Sequence, residues 1–118
     1  METSLEARGR ISAITYLKLF RGYELISNDI NGLVVAYDPD KEEMVFIDIK
    51  VFEKPVDEID FKKDFDCNRK RFERAMWELI TDPDYDEGDM RLRTDQLAVC
   101  IAGNNRGMIS HHINANLI

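Results

Sequence analysis

A chain of 118 residues with 44% hydrophobic and 33% charged residues has the composition of one soluble globular domain. Its net charge of −7 excludes a broad basic footprint for gripping nucleic acid, so only a local patch could supply one. No apolar run approaches the roughly 20 residues of a membrane helix, and Met1-Glu2-Thr3-Ser4 lacks the basic start and apolar stretch of an export signal. The expectation is a cytoplasmic protein with no membrane partner. Cys67 and Cys100, the two cysteines, then read as reduced core thiols, and no Cys-x-x-Cys or Cys/His cluster suggests zinc.

Thr3-Ser4-Leu5-Glu6 has capping-box form, with Thr3 as N-cap. Ile11, Ile14, Leu17 and Phe20 recur near helical spacing and Gly22 can end the helix, which predicts a first helix over residues 4–21. Tyr23 to Ile26 reads as a short strand, and Asn28-Asp29-Ile30-Asn31-Gly32 as a turn. Leu33 to Tyr37 is a second strand, Asp38-Pro39-Asp40-Lys41 a tight turn, and Met44 to Val51 the strongest strand. Residues 53–64 are charged and irregular. Phe72, Ala75, Met76, Leu79 and Ile80 then mark an amphipathic helix over residues 66–81, ended by Pro83. Leu92 to Ala102 is a strand, Gly103 to Gly107 a hairpin-like turn, and Met108 to Ile113 a last strand. The order α-β-β-β-α-β-β predicts an α/β sandwich with helices on both sides of a central mixed sheet.

The strongest strand places Asp48 and Lys50 two residues apart, hence on one face. That is half of a metal-dependent nuclease motif. In such sites two carboxylates hold Mg²⁺, which prefers hard oxygen ligands, and a lysine positions the attacking water. An Asp-x-Lys alone is weak, since any exposed strand end can carry one as a solvated pair.

The chain resembles the YraN-like family of small uncharacterised bacterial proteins with a restriction-endonuclease-like, or PD-(D/E)xK, fold. Arg8-Gly9-Arg10 with Ala13 and Tyr16-Leu17 is similar to that family's opening helix. Arg21-Gly22-Tyr23-Glu24-Leu25-Ile26-Ser27-Asn28 resembles its strand entry, and Val45-Phe46-Ile47-Asp48-Ile49-Lys50 its "VFVEVK" strand. Arg93-Thr94-Asp95 and His112-Ile113-Asn114-Ala115-Asn116 resemble its later strand and its C-terminal segment. The resemblance implies one restriction-endonuclease-like domain over residues 1–118. It also implies that Asp48 and Lys50 are catalytic positions, here vestigial, because the family's helix glutamate falls on Arg10 and its metal-binding aspartate on Val34. Valine cannot ligate a cation, and arginine brings a permanent positive charge. Asp48 is then expected to pair with Lys50 or Arg10. No metal is expected, and Mg²⁺ at Asp48 would follow only if Glu6, Asp29 or Asp38 had taken over as a relocated acid.

Other constellations are weaker. Asp82 to Asp89 opens like a calcium loop, but Glu87 stands where glycine is needed and Arg93 where a bidentate glutamate is needed, so a solvated acidic loop is expected. Arg69, Lys70, Arg71 and Arg74 form the densest basic cluster, on the first turns of the second helix, where phosphates are well received. A polar face balancing Asp64, Asp66 and Glu73 is the plainer reading. Trp77 lies just off the apolar stripe and reads as packed or at an interface. His111 and His112 face opposite sides of a strand and cannot share a metal. Three functions stay open: a nucleic-acid-associated protein with a degenerate active site, binding DNA or RNA; a protein-interaction or regulatory module; and an Mg²⁺-dependent endonuclease with relocated acids. A homodimer through an exposed sheet edge is a further partner expectation.

Overall fold

The computed structural model describes residues 4–65, 69–83, 91–101 and 107–113. Helix α1 (Leu5–Leu19) is followed by strands β1 (Glu24–Ile30), β2 (Leu33–Asp38) and β3 (Glu43–Phe52). A 3₁₀ turn at Val56–Glu58, helix α2 (Arg69–Ile80), and strands β4 (Arg91–Ile101) and β5 (Gly107–His112) complete the order. The five strands form one mixed sheet in sequence order β1-β2-β3-β4-β5. Among the described strands only β3 and β4 run parallel. A parallel neighbour needs a crossover, and α2 lies within it.

The N-cap of α1 is Ser4, whose hydroxyl accepts from the Ala7 amide at 3.1 Å from extended backbone. The expected cap, Thr3, lies outside the described residues. The buried ridge of α1 is Gly9, Ala13 and Leu17, not the Ile11–Ile14–Leu17–Phe20 series. Strict i+3 steps drift backward around a 3.6-residue helix, so that series spirals off the sheet face. Ile11 is accordingly 61% exposed and Phe20 81%. The small residues let the helix axis come close: a β-carbon at Gly9 would sit 2.5 Å from a Val51 methyl.

The turn between β1 and β2 is shorter than expected. Asn31 (φ 54°) and Gly32 (φ 83°) are both left-handed, and Ile30 pairs with Leu33. This is a two-residue hairpin of the primed type, whose twist suits antiparallel strands. Asn28 and Asp29 therefore belong to β1, an edge strand whose register breaks on either side of Ser27.

Alternation along the central strands builds a core on each side of the sheet. Val34, Ala36, Val45, Ile47, Leu97 and Val99 pack with Ala13 and Leu17 of α1. Leu33, Val35, Met44 and Phe46 pack with Phe72, Ala75, Met76 and Leu79 of α2. Burying a ring such as Phe72 contributes about 1.5–3 kcal/mol. Phe65, Ala98 and Cys100 form a third cluster with Phe52 and Phe61, beneath the segment that follows β3. Cys100 is a free buried thiol, and burial raises its pKa; Cys67 lies outside the described residues.

Candidate functional site

Met44, Phe46 and Asp48 alternate onto the α2 face of β3, so Asp48 is a carboxylate continuing an apolar row. It is only 5% exposed. Its position demands a cationic or hydrogen-bonding partner from α2. Arg71 meets that demand. It lies on the same helical ridge as Ala75 and Leu79, one turn further toward the site. Its Nη1 donates to Asp48 Oδ1 at 3.2 Å, Nη2 to the Gly32 carbonyl at 2.9 Å and Nε to the Asn31 carbonyl at 3.2 Å. The Asn31 side-chain amide donates back to the Arg71 carbonyl at 3.3 Å. One guanidinium thus joins α2, the β1–β2 turn and β3.

The expected partners of Asp48 are placed differently. Arg10 donates to the carbonyl of Asn28, and Lys50 donates to the Asp64 carbonyl at 2.7 Å. The guanidinium seated on Asp48 is that of Arg71, from the first turn of α2. Lys50 also lies 5.7 Å from the centre of the Phe52 ring. Asp64 in turn accepts from the Asp60 amide at 2.8 Å and from Lys54 Nζ at 3.1 Å. Those two bonds, the amide first, hold its carboxyl below the usual range.

Val34 does not occupy the slot beside Asp48. It pairs with Ile47 and packs against α1, on the opposite face of the sheet. The β2 residue that shares the face of Asp48 at this end is Leu33, which packs against α2. Leu33 and Val34 are both apolar, so neither offers Asp48 an oxygen donor beside it. Successive side chains of a strand face opposite ways, so Leu33 looks toward α2 and Val34 toward α1.

A cleft of about 440 Å³ opens beside the turn, with Glu6, Arg10, Asp29, Gly32 and Arg71 on its walls. Among the described residues, the donors of an Mg²⁺ site do not converge here. Asp48 carries the guanidinium of Arg71, and no three His, Cys, Asp or Glu side chains converge among the described residues. Asp29 Oδ1 accepts from the Gly32 amide at 2.8 Å and so serves the turn. Asp38 lies at the far end of β2, bonded to Arg93 at 2.9 Å. Glu6 is exposed on the cleft rim.

The basic cluster on α2 divides. Arg71 turns inward. Arg69, Lys70 and Arg74 are exposed, and Arg69 pairs with Glu73 at 2.8 Å, one turn on. Trp77 is not packed: it is 69% exposed. Beside it lies an open hollow of about 580 Å³ walled by Lys70, Glu73, Arg74, Glu78 and Thr81. Residues 84–89 of the expected acidic loop lie outside the described residues.

A second polar centre went unread in the sequence. Arg93, 4% exposed, bonds both carboxylate oxygens of Asp95 at 3.0 and 3.1 Å. It also bonds Asp38 and Glu43, each at 2.9 Å, and the Tyr23 hydroxyl at 2.7 Å. Burial works against its charge, but the hydrogen bond and charge of Asp95 and the hydrogen bond to Asp38 prevail, and its pKa is raised. His111 Nε2 lies 2.7 Å from Asp95 Oδ2, and its Nδ1 lies 3.1 Å from the Tyr16 hydroxyl. Burial raises the Tyr16 pKa and keeps the phenol neutral. His112 meets the Phe61 ring instead, 5.2 Å between centres, so the two histidines do face opposite ways. Arg93 and Asp95, at i and i+2 of one strand beside an apolar run, were the signal for this centre. It ties the β2–β3 end of the sheet to α1 and β5.

No family model, curated protein or solved structure matches the chain.

Proposed function

We propose that this chain is a catalytically silent, nucleic-acid-associated protein on a restriction-endonuclease-like frame, a divergent relative of the YraN-like family. The observation that carries the reading is the division of the basic cluster on α2. One guanidinium is bound to the carboxylate that would otherwise be a metal ligand, at 3.2 Å, while Arg69, Lys70 and Arg74 face outward beside Trp77. A guanidinium on Asp48 supplies the positive charge that the carboxylate requires. Leucine at the neighbouring position removes the second oxygen donor. The element order, the mixed sheet and the placement of Asp48 and Lys50 on the α2 face are in keeping with the nuclease-like frame.

The test is binding of labelled DNA and RNA at low ionic strength, followed by salt titration and a strand-scission assay with Mn²⁺. The reading expects binding that weakens as salt rises and no scission. Absence of binding at low ionic strength would remove it. Mn²⁺-dependent scission lost in Asp48→Ala would establish a nuclease instead. One observation favours a second reading, a protein-interaction module. Leu19 and Phe20, at the end of α1, are 76% and 81% exposed, and the net charge of −7 disfavours polyanions.

A further inference from the structure

Lys70, Arg74, Trp77 and Thr81 are spaced four, three and four residues apart, so they form one straight stripe along the outer face of α2. Lys70 and Trp77 are separated by about 10 Å of helix, at 1.5 Å per residue. All four are exposed, and with Glu73 and Glu78 they wall the open hollow of about 580 Å³. The first of these acids is occupied by Arg69 at 2.8 Å. Two cations followed by an indole, one per helical turn, match a ligand that alternates phosphates with flat aromatic faces.

Resting on the nucleic-acid reading above, we propose that this stripe binds single-stranded nucleic acid, with Trp77 stacking on one base and Lys70 and Arg74 contacting the phosphates beside it. A duplex would not suit the stripe. Its base faces are stacked on one another, and its affinity comes from many phosphate contacts at once. A chain with a net charge of −7 offers few. Base–aromatic stacking needs only one unstacked base and tolerates any sequence. Glu78, on the same wall, opposes the phosphates and keeps the affinity low.

Trp77 is the single tryptophan of the chain, so its emission reports this contact directly. Oligothymidylate is titrated into the full chain at low salt, with a hairpin duplex in parallel. The expected result is saturable quenching by the single strand and weaker binding of the duplex. Two phosphates neutralised on a single strand give a slope of log K against log salt near about −1.4. Trp77→Leu, at an exposed position, weakens binding by about tenfold, and Glu78→Gln strengthens it. Single-strand binding with unchanged emission, or equal binding of Trp77→Leu, would overturn the inference while leaving the nucleic-acid reading standing. Equal or tighter binding of the duplex would do the same. No binding of either probe would overturn both. A concentration-dependent blue shift without nucleic acid would assign the stripe to a second copy of the chain and also overturn the inference.

Discussion

A β-carbon at Gly32 would lie 2.6 Å from Nη2 of Arg71. That atom is the tip of a flexible side chain, so the positive φ is the stronger demand for glycine and the guanidinium a second, smaller one. Gly32 is needed for its φ of +83° and for the room it leaves. Gly32→Ala is expected to destabilise the fold by about 1–3 kcal/mol, read from the urea midpoint. In an Arg71→Ala background the cost should fall, because one of its two causes is gone. Equal costs in the two backgrounds would show that the guanidinium does not crowd the turn.

Arg71 and Asp48 should be energetically coupled. The Asp48 side chain is 7% exposed and that of Arg71 31%. The partial exposure of Arg71 screens the pair, so about 1–2 kcal/mol of coupling is expected, not the 3–5 kcal/mol cost of breaking a fully buried pair. A double-mutant cycle of Arg71→Ala and Asp48→Asn measures it. Strict additivity would mean that the two side chains contribute independently.

Much of this architecture was legible in the sequence, because alternation and helical spacing reveal which residues bury a face. The Met44–Val51 run, the Phe72–Leu79 stripe and the turn chemistry around Asn31-Gly32 all lie where structure followed. Two kinds of information were not local. The strand β1 reads polar from Ser27 to Asp29 because an edge strand can send those side chains to solvent, and polarity alone then imitates a turn. The partner of Asp48 depends on where α2 crosses the sheet. Asp48 and Arg71 are 23 residues apart, and Arg71 is one of four cations in a run that reads as solvated. The clue was the ridge Arg71–Ala75–Leu79, in which the arginine extends the apolar stripe by one turn. The strand face of Val34 was likewise set by the hairpin register, in which it pairs with Ile47 and packs toward α1.

Arg93 is expected to be the most sensitive polar position of the chain. Arg93→Met would leave Asp95, Asp38 and Glu43 without their common cation, with Asp95 and Asp38 buried. A loss of about 3–5 kcal/mol is expected from chemical denaturation. A loss below about 1 kcal/mol would mean that the three acids find other partners.

Asp64 gives a pH signature. Its folded pKa is lowered by the Asp60 amide and then by Lys54. Its charged form therefore stabilises the fold above the unfolded carboxylate value of about 3.9. That contribution is lost as pH falls through the lower, folded value. Asp64→Asn should lower stability at pH 7 slightly and flatten the acid limb of the stability profile below about pH 4. A variant with the same acid limb as the parent chain would show that this carboxylate is not selectively stabilised.

With Arg71 bonded to Asp48, this carboxylate is expected to hold no divalent cation. Calorimetric titration of Mn²⁺ into the intact chain, with Asp48→Asn as the control, reads this directly. The expected result is the same heat for both proteins, with no saturable site that needs Asp48. One ion bound by the intact chain and lost in Asp48→Asn would contradict it.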